Sequence, residues 1–224
     1  MNSQKHLRVL LLVDGFTLKK VNEYYWKHHP FHTKLDFRGI RNWAKREALR
    51  VFAPGKRQAL MECHYYHPDK NPHMYGRTHG MTCFERELRF AGFQIHYCEQ
   101  VAPEGIKPNM ALLEDALLFA SYQKMDVVVL LSTQGQYAPL PDRLRMMGLP
   151  LLLLGWNFSY RAQERYVVWK TDPGLQALST YYVAMEQVAD SGEPLSASGL
   201  FCERPLRPLH SPNPWLSVCE KGVR

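Results

Sequence analysis

Residues 107–156 read KPNMALLEDALLFASYQKMDVVVLLSTQGQYAPLPDRLRMMGLPLLLLGW, and this stretch decides the fold. Apolar residues within 109–123 recur at helical spacing, whereas 127–131 is a continuous apolar run. Such a run is typical of a strand buried on both faces of a parallel sheet. Helical spacing returns over 138–147, and a second apolar run covers 149–154. The order helix, strand, helix, strand therefore predicts a βαβ unit with a helix before it.

Other apolar segments extend this unit toward both ends of the chain. Helices are predicted over 36–51, 82–91 and 175–188, and 166–169 is predicted as one more short strand. The strands expected to share one sheet are 8–13, 59–66, 93–98, 127–131 and 150–154. The predicted fold class is therefore α/β, with a mainly parallel sheet flanked by helices.

The length of the chain, 224 residues, fits one α/β domain with additional segments. We predict one domain over 1–189, in which 15–57 is a basic helical insert. The remaining residues, 190–224, are predicted to be a Pro-rich C-terminal tail that either wraps the domain or stays mobile.

Two observations favour a cytoplasmic location and exclude membrane insertion. No apolar run approaches the roughly 20 residues of a membrane span, and the opening Met-Asn-Ser-Gln-Lys-His lacks the apolar stretch of a signal peptide. The five cysteines form no Cys-x-x-Cys pair and are odd in number. A reducing compartment is the simplest interpretation of that usage.

Positive charge is concentrated in one segment, 19–57, whereas the whole chain carries a net charge of +7. This segment holds eleven Lys or Arg against three acidic residues, a balance of 11 − 3 = +8. Aromatic residues lie between the basic ones, as in proteins that bind phosphates and stack unpaired bases. We predict nucleic-acid contacts by Arg38, Arg41, Lys45 and Arg46. There are two alternatives. The segment is either a solvated helix face with its aromatics in the core, or a face that binds an acidic protein partner.

Cys and His residues are also concentrated between positions 63 and 83, which raises the possibility of a zinc site. Their spacing matches no structural zinc module, so we favour ordinary loop histidines. The residues concerned are Cys63, His64, His67, His73, His79 and Cys83.

Polar residues follow two of the predicted strands directly. Asp14 and Gly15 come after the first strand, and Ser132 begins the polar turn after the run 127–131. Ligands of open parallel sheets bind at the carboxyl edge of the strands, where these turns meet. Asp14 is therefore either a metal or phosphate residue or the cap of the following turn.

Taken in order, several pieces of the sequence resemble NYN domains, the LabA-like branch of the PIN-like nuclease superfamily. The resemblance covers roughly 7–170, and its order and spacing are more specific than any single piece. The matching pieces are 9–16, the pair Tyr65-Tyr66, 107–117, 126–137, and Pro139-Leu140 with Gly148. The resemblance implies a three-layer PIN-like fold with an acidic pocket that binds Mg²⁺ or Mn²⁺ and cleaves RNA in active members.

The sequence departs from the family pattern at the positions that carry this chemistry. Asp14 stands at the first acidic position, but Asn109 replaces the Asp expected at the start of the next matching helix. Gln134 and Gln136 stand where paired Asp residues are expected, and Asp115 matches a further acidic position. Amide oxygens can complete a Mg²⁺ shell but supply no negative charge. The implied site is thus degenerate.

Three hypotheses remain open from the sequence. The first is an NYN-like domain that binds RNA or a protein partner without nuclease activity and without a cofactor. A metal-dependent ribonuclease with an altered Mg²⁺ or Mn²⁺ site built on Asp14 and Asp115, helped by Glu114, is the second. The third is a protein-binding scaffold whose basic segment docks an acidic partner.

Overall fold

The structure is a computed structural model that describes residues 6–68, 83–97, 110–122, 124–162, 165–191 and 199–202. Asn109, His73 and His79, which the sequence singled out, lie outside the described residues.

Within the described residues, eight strands and seven α-helices build the fold. The strands are β1 His6–Asp14, β2 Gln58–Tyr66, β3 Gln94–His96, β4 Val127–Leu131, β5 Leu151–Gly155, β6 Phe158–Ala162, β7 Arg165–Trp169 and β8 Tyr181–Ala184. The helices are α1 Gly15–Lys27, α2 Phe37–Phe52, α3 Cys83–Phe90, α4 Met110–Tyr122, α5 Pro139–Met146, α6 Pro173–Leu178 and α7 Met185–Ala189.

Six of the strands form one sheet in the order β3-β2-β1-β4-β5-β8. Each neighbouring pair is parallel, and Asp14 at the end of β1 lies beside Tyr66 at the end of β2. Every residue of β4 and β5 is buried, because both faces of the sheet are covered. The predicted mainly parallel sheet is confirmed, including all five of its predicted strands.

Helices cover both faces of this sheet. Side chains of α1, α2, α3 and α7 pack on the face that carries Val9, Leu11 and Val13. Helices α4, α5 and α6 pack on the opposite face, against Leu10 and Leu12. Burying a Leu or Val side chain contributes about 1.5–3 kcal/mol, so the alternating residues of β1 stabilise both layers. The fold is a three-layer α/β architecture, as predicted.

The basic segment forms two helices, but it is not an insert outside the fold. Asp14 and Asp36 cap α1 and α2 by accepting hydrogen bonds from backbone amides. Apolar residues such as Val21 and Ile40 are buried against the sheet. Both helices therefore belong to one helical layer, and only their outer faces are free to present basic residues.

The prediction of a single helix over 175–188 is wrong. Helix α6 ends at Leu178, strand β8 follows at Tyr181–Ala184, and α7 begins at Met185. Aromatic and β-branched residues favour strands, and Tyr181-Tyr182-Val183 pairs with β5 along its open edge. Backbone pairing at this edge overrides the helical spacing of the surrounding apolar residues.

The predicted short strand at 166–169 exists as β7, although it does not join the main sheet. It pairs antiparallel with β6 in a separate two-stranded hairpin, with Phe158 opposite Trp169. Strand β6 was not predicted from the sequence. The hairpin lies between β5 and α6 in the chain, and its inner side contacts α1 through aromatic rings.

A short part of the C-terminal region docks on the domain. Leu35 and Phe201 form an antiparallel bridge, and Phe201 packs edge-on against Tyr25 with ring centroids 4.9 Å apart. Gly39 of α2 lies directly under this segment, since a Cβ there would collide with the carbonyl oxygen of Gly199. Residues 199–202 thus wrap the domain, while the rest of the predicted tail beyond 202 lies outside the described residues.

No helix among the described residues is long and apolar enough to cross a membrane. Cys63 and Cys202 are free thiols, whereas Cys83 is disulfide-bonded. Disulfides are rare in cytosolic proteins. The bond at Cys83 therefore counts against the reducing compartment that the cysteine usage suggested.

Candidate functional site

Asp14 lies at the carboxyl edge of the sheet, where β1 passes into α1, and its carboxylate accepts three hydrogen bonds. Thr17 Oγ1 donates to Asp14 Oδ2 at 2.7 Å and Ser132 Oγ donates to the same oxygen at 3.1 Å. The amide of Phe16 donates to Oδ1 at 3.2 Å. Only 3% of Asp14 is exposed, and both hydroxyl-bearing residues are fully buried.

Thr133 joins this carboxylate to the turn after β4. Its Oγ1 lies 3.1 Å from Thr17 Oγ1, and its amide donates to the same hydroxyl oxygen at 3.2 Å. The side-chain amide of Gln134 donates to Thr133 Oγ1 at 3.3 Å. Asp14 and Gln134 therefore lie at the same edge of the sheet, as the sequence predicted, and are linked through two threonine hydroxyls.

Trp169 at the end of β7 joins this network, and sequence reasoning did not identify it. Its indole Nε1 donates to Thr133 Oγ1 at 3.0 Å. Its ring also contacts Phe16, with centroids 5.8 Å apart, and is stacked with Phe158 at 6.1 Å. The hairpin is thus joined to the carboxyl edge of the sheet, where ligands of open α/β sheets bind.

Burial raises the pKa of Asp14 above its ordinary value, because desolvation disfavours the charged carboxylate. Hydrogen bonds from Thr17, Ser132 and the backbone oppose that rise without cancelling it. Gly15 follows at a position where a Cβ would collide with Tyr65 and the carbonyl of Tyr66. The Asp-Gly pair is thereby explained by tight packing and helix capping.

Asp115 belongs to a different cluster on the α4 side of the sheet. Its Oδ2 accepts a hydrogen bond from the phenol of Tyr66 at 3.0 Å and lies 3.4 Å from His96 Nδ1. His96 Nε2 in turn lies 2.9 Å from Nδ1 of the fully buried His64. Glu62 Oε1, 3.4 Å from His64 Nε2, completes a chain of polar side chains across β2, β3 and α4.

The two histidines of this cluster are held neutral by burial. Desolvation lowers the pKa of both His64 and His96, while nearby carboxylates act in the opposite direction. The His64 ring is also stacked on Phe119, with centroids 4.4 Å apart. The resemblance to NYN domains gave no signal for this histidine pair, which requires the parallel pairing of β2 with β3.

The described residues contain no group of three or more His, Cys, Asp or Glu side chains placed to hold a metal ion. Of the residues considered for a zinc site, Cys63 is a buried thiol and Cys83 is disulfide-bonded, whereas His73 and His79 lie outside the described residues. Glu114 is exposed on α4, and Gln136 lies in the turn Gly135–Tyr137. The residues present do not fit a dication at Asp14.

The four basic residues predicted to bind nucleic acid fall on α2, but they are not equivalent. Arg38 Nη2 and Arg41 Nη1 lie within hydrogen-bonding distance of the carbonyls of Phe90 and Ala91, at 3.5 and 3.2 Å, where α3 ends. These contacts complement the negative end of the α3 dipole. Lys45 and Arg46 make no hydrogen bond or ion pair within the described residues and remain available to a partner.

Comparison with known proteins supports the fold and leaves the site unassigned. No model of a known protein family and no curated protein matches the chain. A solved protein of unknown function from Vibrio parahaemolyticus matches 90% of this chain and 100% of its own, with a TM-score of 0.56 and 14% identity. At that identity the likeness shows the fold alone. A UDP-GlcNAc 2-epimerase from Neisseria meningitidis, solved with UDP-GlcNAc, matches with 9% identity over 80% of this chain and 40% of its own. Its TM-score of 0.40 is too low to carry an argument.

Proposed function

We propose that this chain is an NYN-like domain that binds RNA and does not cleave it with a metal ion. The proposal that the domain does not cleave RNA with a metal ion is supported by the surroundings of Asp14. Its carboxylate is buried and accepts hydrogen bonds from two hydroxyls and a backbone amide. Mg²⁺ is bound through one or two carboxylates that also leave room for waters and phosphate. Asp14 leaves no such room.

The second carboxylate of the altered nuclease hypothesis is also occupied. Asp115 binds the phenol of Tyr66 and lies beside His96. Gln134 uses its amide to contact Thr133, so it extends the hydroxyl network rather than an acidic pocket. These contacts support a domain in which the polar edge of the sheet stabilises the fold. The alternative, a ribonuclease built on Asp14 and Asp115, is tested by the RNA cleavage experiment.

The RNA-binding half of the proposal is supported by the charge of the helical layer. Lys45 and Arg46 lie on α2, about two turns after Arg38. Free cations on one helix face attract phosphates and release counterions on binding.

The cytoplasmic location remains a prediction. The disulfide at Cys83 counts against it, because disulfides are rare in that compartment.

Cleavage is tested on a labelled single-stranded RNA with Mn²⁺, with Mg²⁺ and with EDTA. We expect the RNA to remain intact equally in all three for the wild-type protein and for Asp14→Asn. Metal-assisted hydrolysis requires an ion held next to the scissile phosphate, and the buried carboxylate prevents this. Metal-dependent cleavage by the wild type that Asp14→Asn abolishes would replace this proposal with the altered nuclease.

Binding is tested with the double variant Lys45→Glu/Arg46→Glu. We expect weaker RNA binding and a salt dependence whose log–log slope falls by about 2, because each lost phosphate contact removes about one unit. Arg143→Glu/Arg145→Glu on α5 is the control with the same change in net charge, and both of its residues are exposed. Equal effects of the two pairs in fluorescence anisotropy at two salt concentrations would contradict a specific role for α2.

A further inference from the structure

The outward side of the β6–β7 hairpin is an unusual surface for a domain of this size. We define the hairpin outer face as Ser159, Arg161, Tyr166 and Val168, which form two cross-strand pairs on one side of the ribbon. Tyr166 is 70% exposed and Val168 is 51% exposed, so an aromatic ring and a branched side chain face solvent together. Exposed apolar side chains that cluster, rather than occur singly, mark binding surfaces.

The opposite side of the hairpin is fixed to the domain, which makes the ribbon a rigid support. Phe158 is stacked on Tyr24 of α1 with centroids 4.3 Å apart and planes 12° apart. Tyr160 is stacked on His28 with centroids 3.8 Å apart. Trp169 anchors the second strand through its hydrogen bond to Thr133. An isolated two-stranded hairpin is marginally stable, so these contacts hold it in place.

The ring of Tyr166 has a defined position on this support. Its hydroxyl donates a 2.7 Å hydrogen bond to Ser159 Oγ, which lies across the ribbon. Because the tip of the ring is tied to the neighbouring strand, the ring lies along the outer face and leaves one side open to solvent. A ring that is already ordered loses little conformational freedom when a second ring stacks on it.

The charge around the ring is positive and uncompensated within the described residues. Arg161, the cross-strand partner of Tyr166, is exposed, as are Arg165 and Lys170. None of the three makes a hydrogen bond or ion pair with a described residue, and no acidic residue lies in the described parts of 158–170. Glu164, the one acidic residue of this stretch, lies outside the described residues. The charge therefore complements a polyanion.

We propose that the hairpin outer face binds single-stranded RNA, with one base stacked on Tyr166 and the adjoining phosphates held by Arg161 and Lys170. Bases stack on aromatic rings without regard to sequence, and basic side chains beside the ring hold the backbone. Duplex RNA offers no free base to the ring, so the surface discriminates against it. This inference rests on the proposed function and assigns the contact surface for the same partner.

The experiment measures anisotropy of a labelled mixed-sequence RNA of about 16 nucleotides, the upper site size of one single-strand-binding domain. Tyr166→Ala is expected to weaken binding about tenfold, whereas Tyr166→Phe, which keeps the ring, retains most of the affinity. Arg161→Glu is expected to weaken binding and lower the salt slope. Tyr122→Ala is the matched control, since Tyr122 is 81% exposed on α4 and far from the hairpin in the fold.

Two further probes separate failure of this inference from failure of the proposed function. If Tyr166→Ala and Arg161→Glu bind RNA like the wild type while Lys45→Glu/Arg46→Glu does not, the hairpin surface is excluded and RNA binding stands. If the wild type binds neither single-stranded nor duplex RNA, both proposals fail. Tyr166-dependent binding to anionic lipid vesicles in the absence of RNA binding would assign the surface to a membrane and overturn the inference.

Discussion

Asp14→Ala is expected to lower the free energy of unfolding by about 3–4 kcal/mol. The substitution leaves the hydroxyls of Thr17 and Ser132 and the amide of Phe16 without their acceptor in a buried site. Each unsatisfied buried donor costs about 1 kcal/mol or more. The bond from the Phe16 amide is also the cap of α1, whose loss costs about 1 kcal/mol, so the three lost bonds together account for the change. Chemical denaturation followed by circular dichroism measures the change.

The control variants separate a structural carboxylate from a catalytic one. Ser132→Ala removes one donor, so we expect a loss of about 1 kcal/mol. Asp14→Asn keeps an acceptor oxygen and the size of the side chain. Its loss of stability should therefore lie between those of Ser132→Ala and Asp14→Ala. Catalytic residues often cost stability, so their replacement is neutral or stabilising. A stability of Asp14→Ala equal to or above that of the wild type would contradict the structural role assigned here.

Stability is also expected to fall steeply as the pH drops below about 6.5, the ordinary pKa of histidine. Burial holds the pKa of His64 and His96 below that value in the folded protein. The unfolded chain therefore binds protons that the folded chain excludes, and stability is lost as pH falls. Each excluded proton contributes about 1.4 kcal/mol per pH unit.

The geometry of the pair strengthens this expectation. His64 Nδ1 and His96 Nε2 are 2.9 Å apart and share one hydrogen, so protonating both rings would direct two N–H groups at each other. Asp14 acts in the opposite direction, since its raised pKa favours the folded state as pH falls. The contribution of the histidines to the pH dependence of stability is therefore obtained by comparing variants with the wild type, and not from the wild-type curve alone.

The measurement is the free energy of unfolding in urea at several pH values between about 5 and about 7.5. His64→Gln is expected to reduce the slope with pH by at most about 1.4 kcal/mol per unit, the value for one fully excluded proton. His32→Asn is the control, since His32 is exposed and its positive φ of 43° is tolerated by Asn. A slope unchanged by His64→Gln would show that this pair does not exclude protons.

The basic residues illustrate how far sequence reasoning reached at the site. Charge counting located the positive segment correctly, and helical spacing placed all four predicted residues on one helix. It could not separate Arg38 and Arg41, which contact the end of α3, from Lys45 and Arg46, which do not. The partners of the two arginines, Phe90 and Ala91, are about 50 positions away in the chain, so no local pattern reveals them.

The sequence by itself determined the order of strands and helices and the edge at which Asp14 and Gln134 meet. Strands buried on both faces must be apolar throughout, and polar residues can follow them only where the strands end. Both properties are local, so they can be read along the chain. The failures at β8 and β6 arose where pairing with a distant strand, rather than local spacing, decides the conformation.

Only the tertiary structure decided what these residues do. Asp14 accepts a hydrogen bond from Ser132, 118 positions away, and is buried, while Trp169 of the hairpin donates to Thr133 in the same network. Asp115 meets Tyr66 and His96 only because β2, β3 and α4 pack together. The accessibility and pKa of an acidic residue depend on the groups that surround it in space, and its neighbours in sequence do not specify those groups.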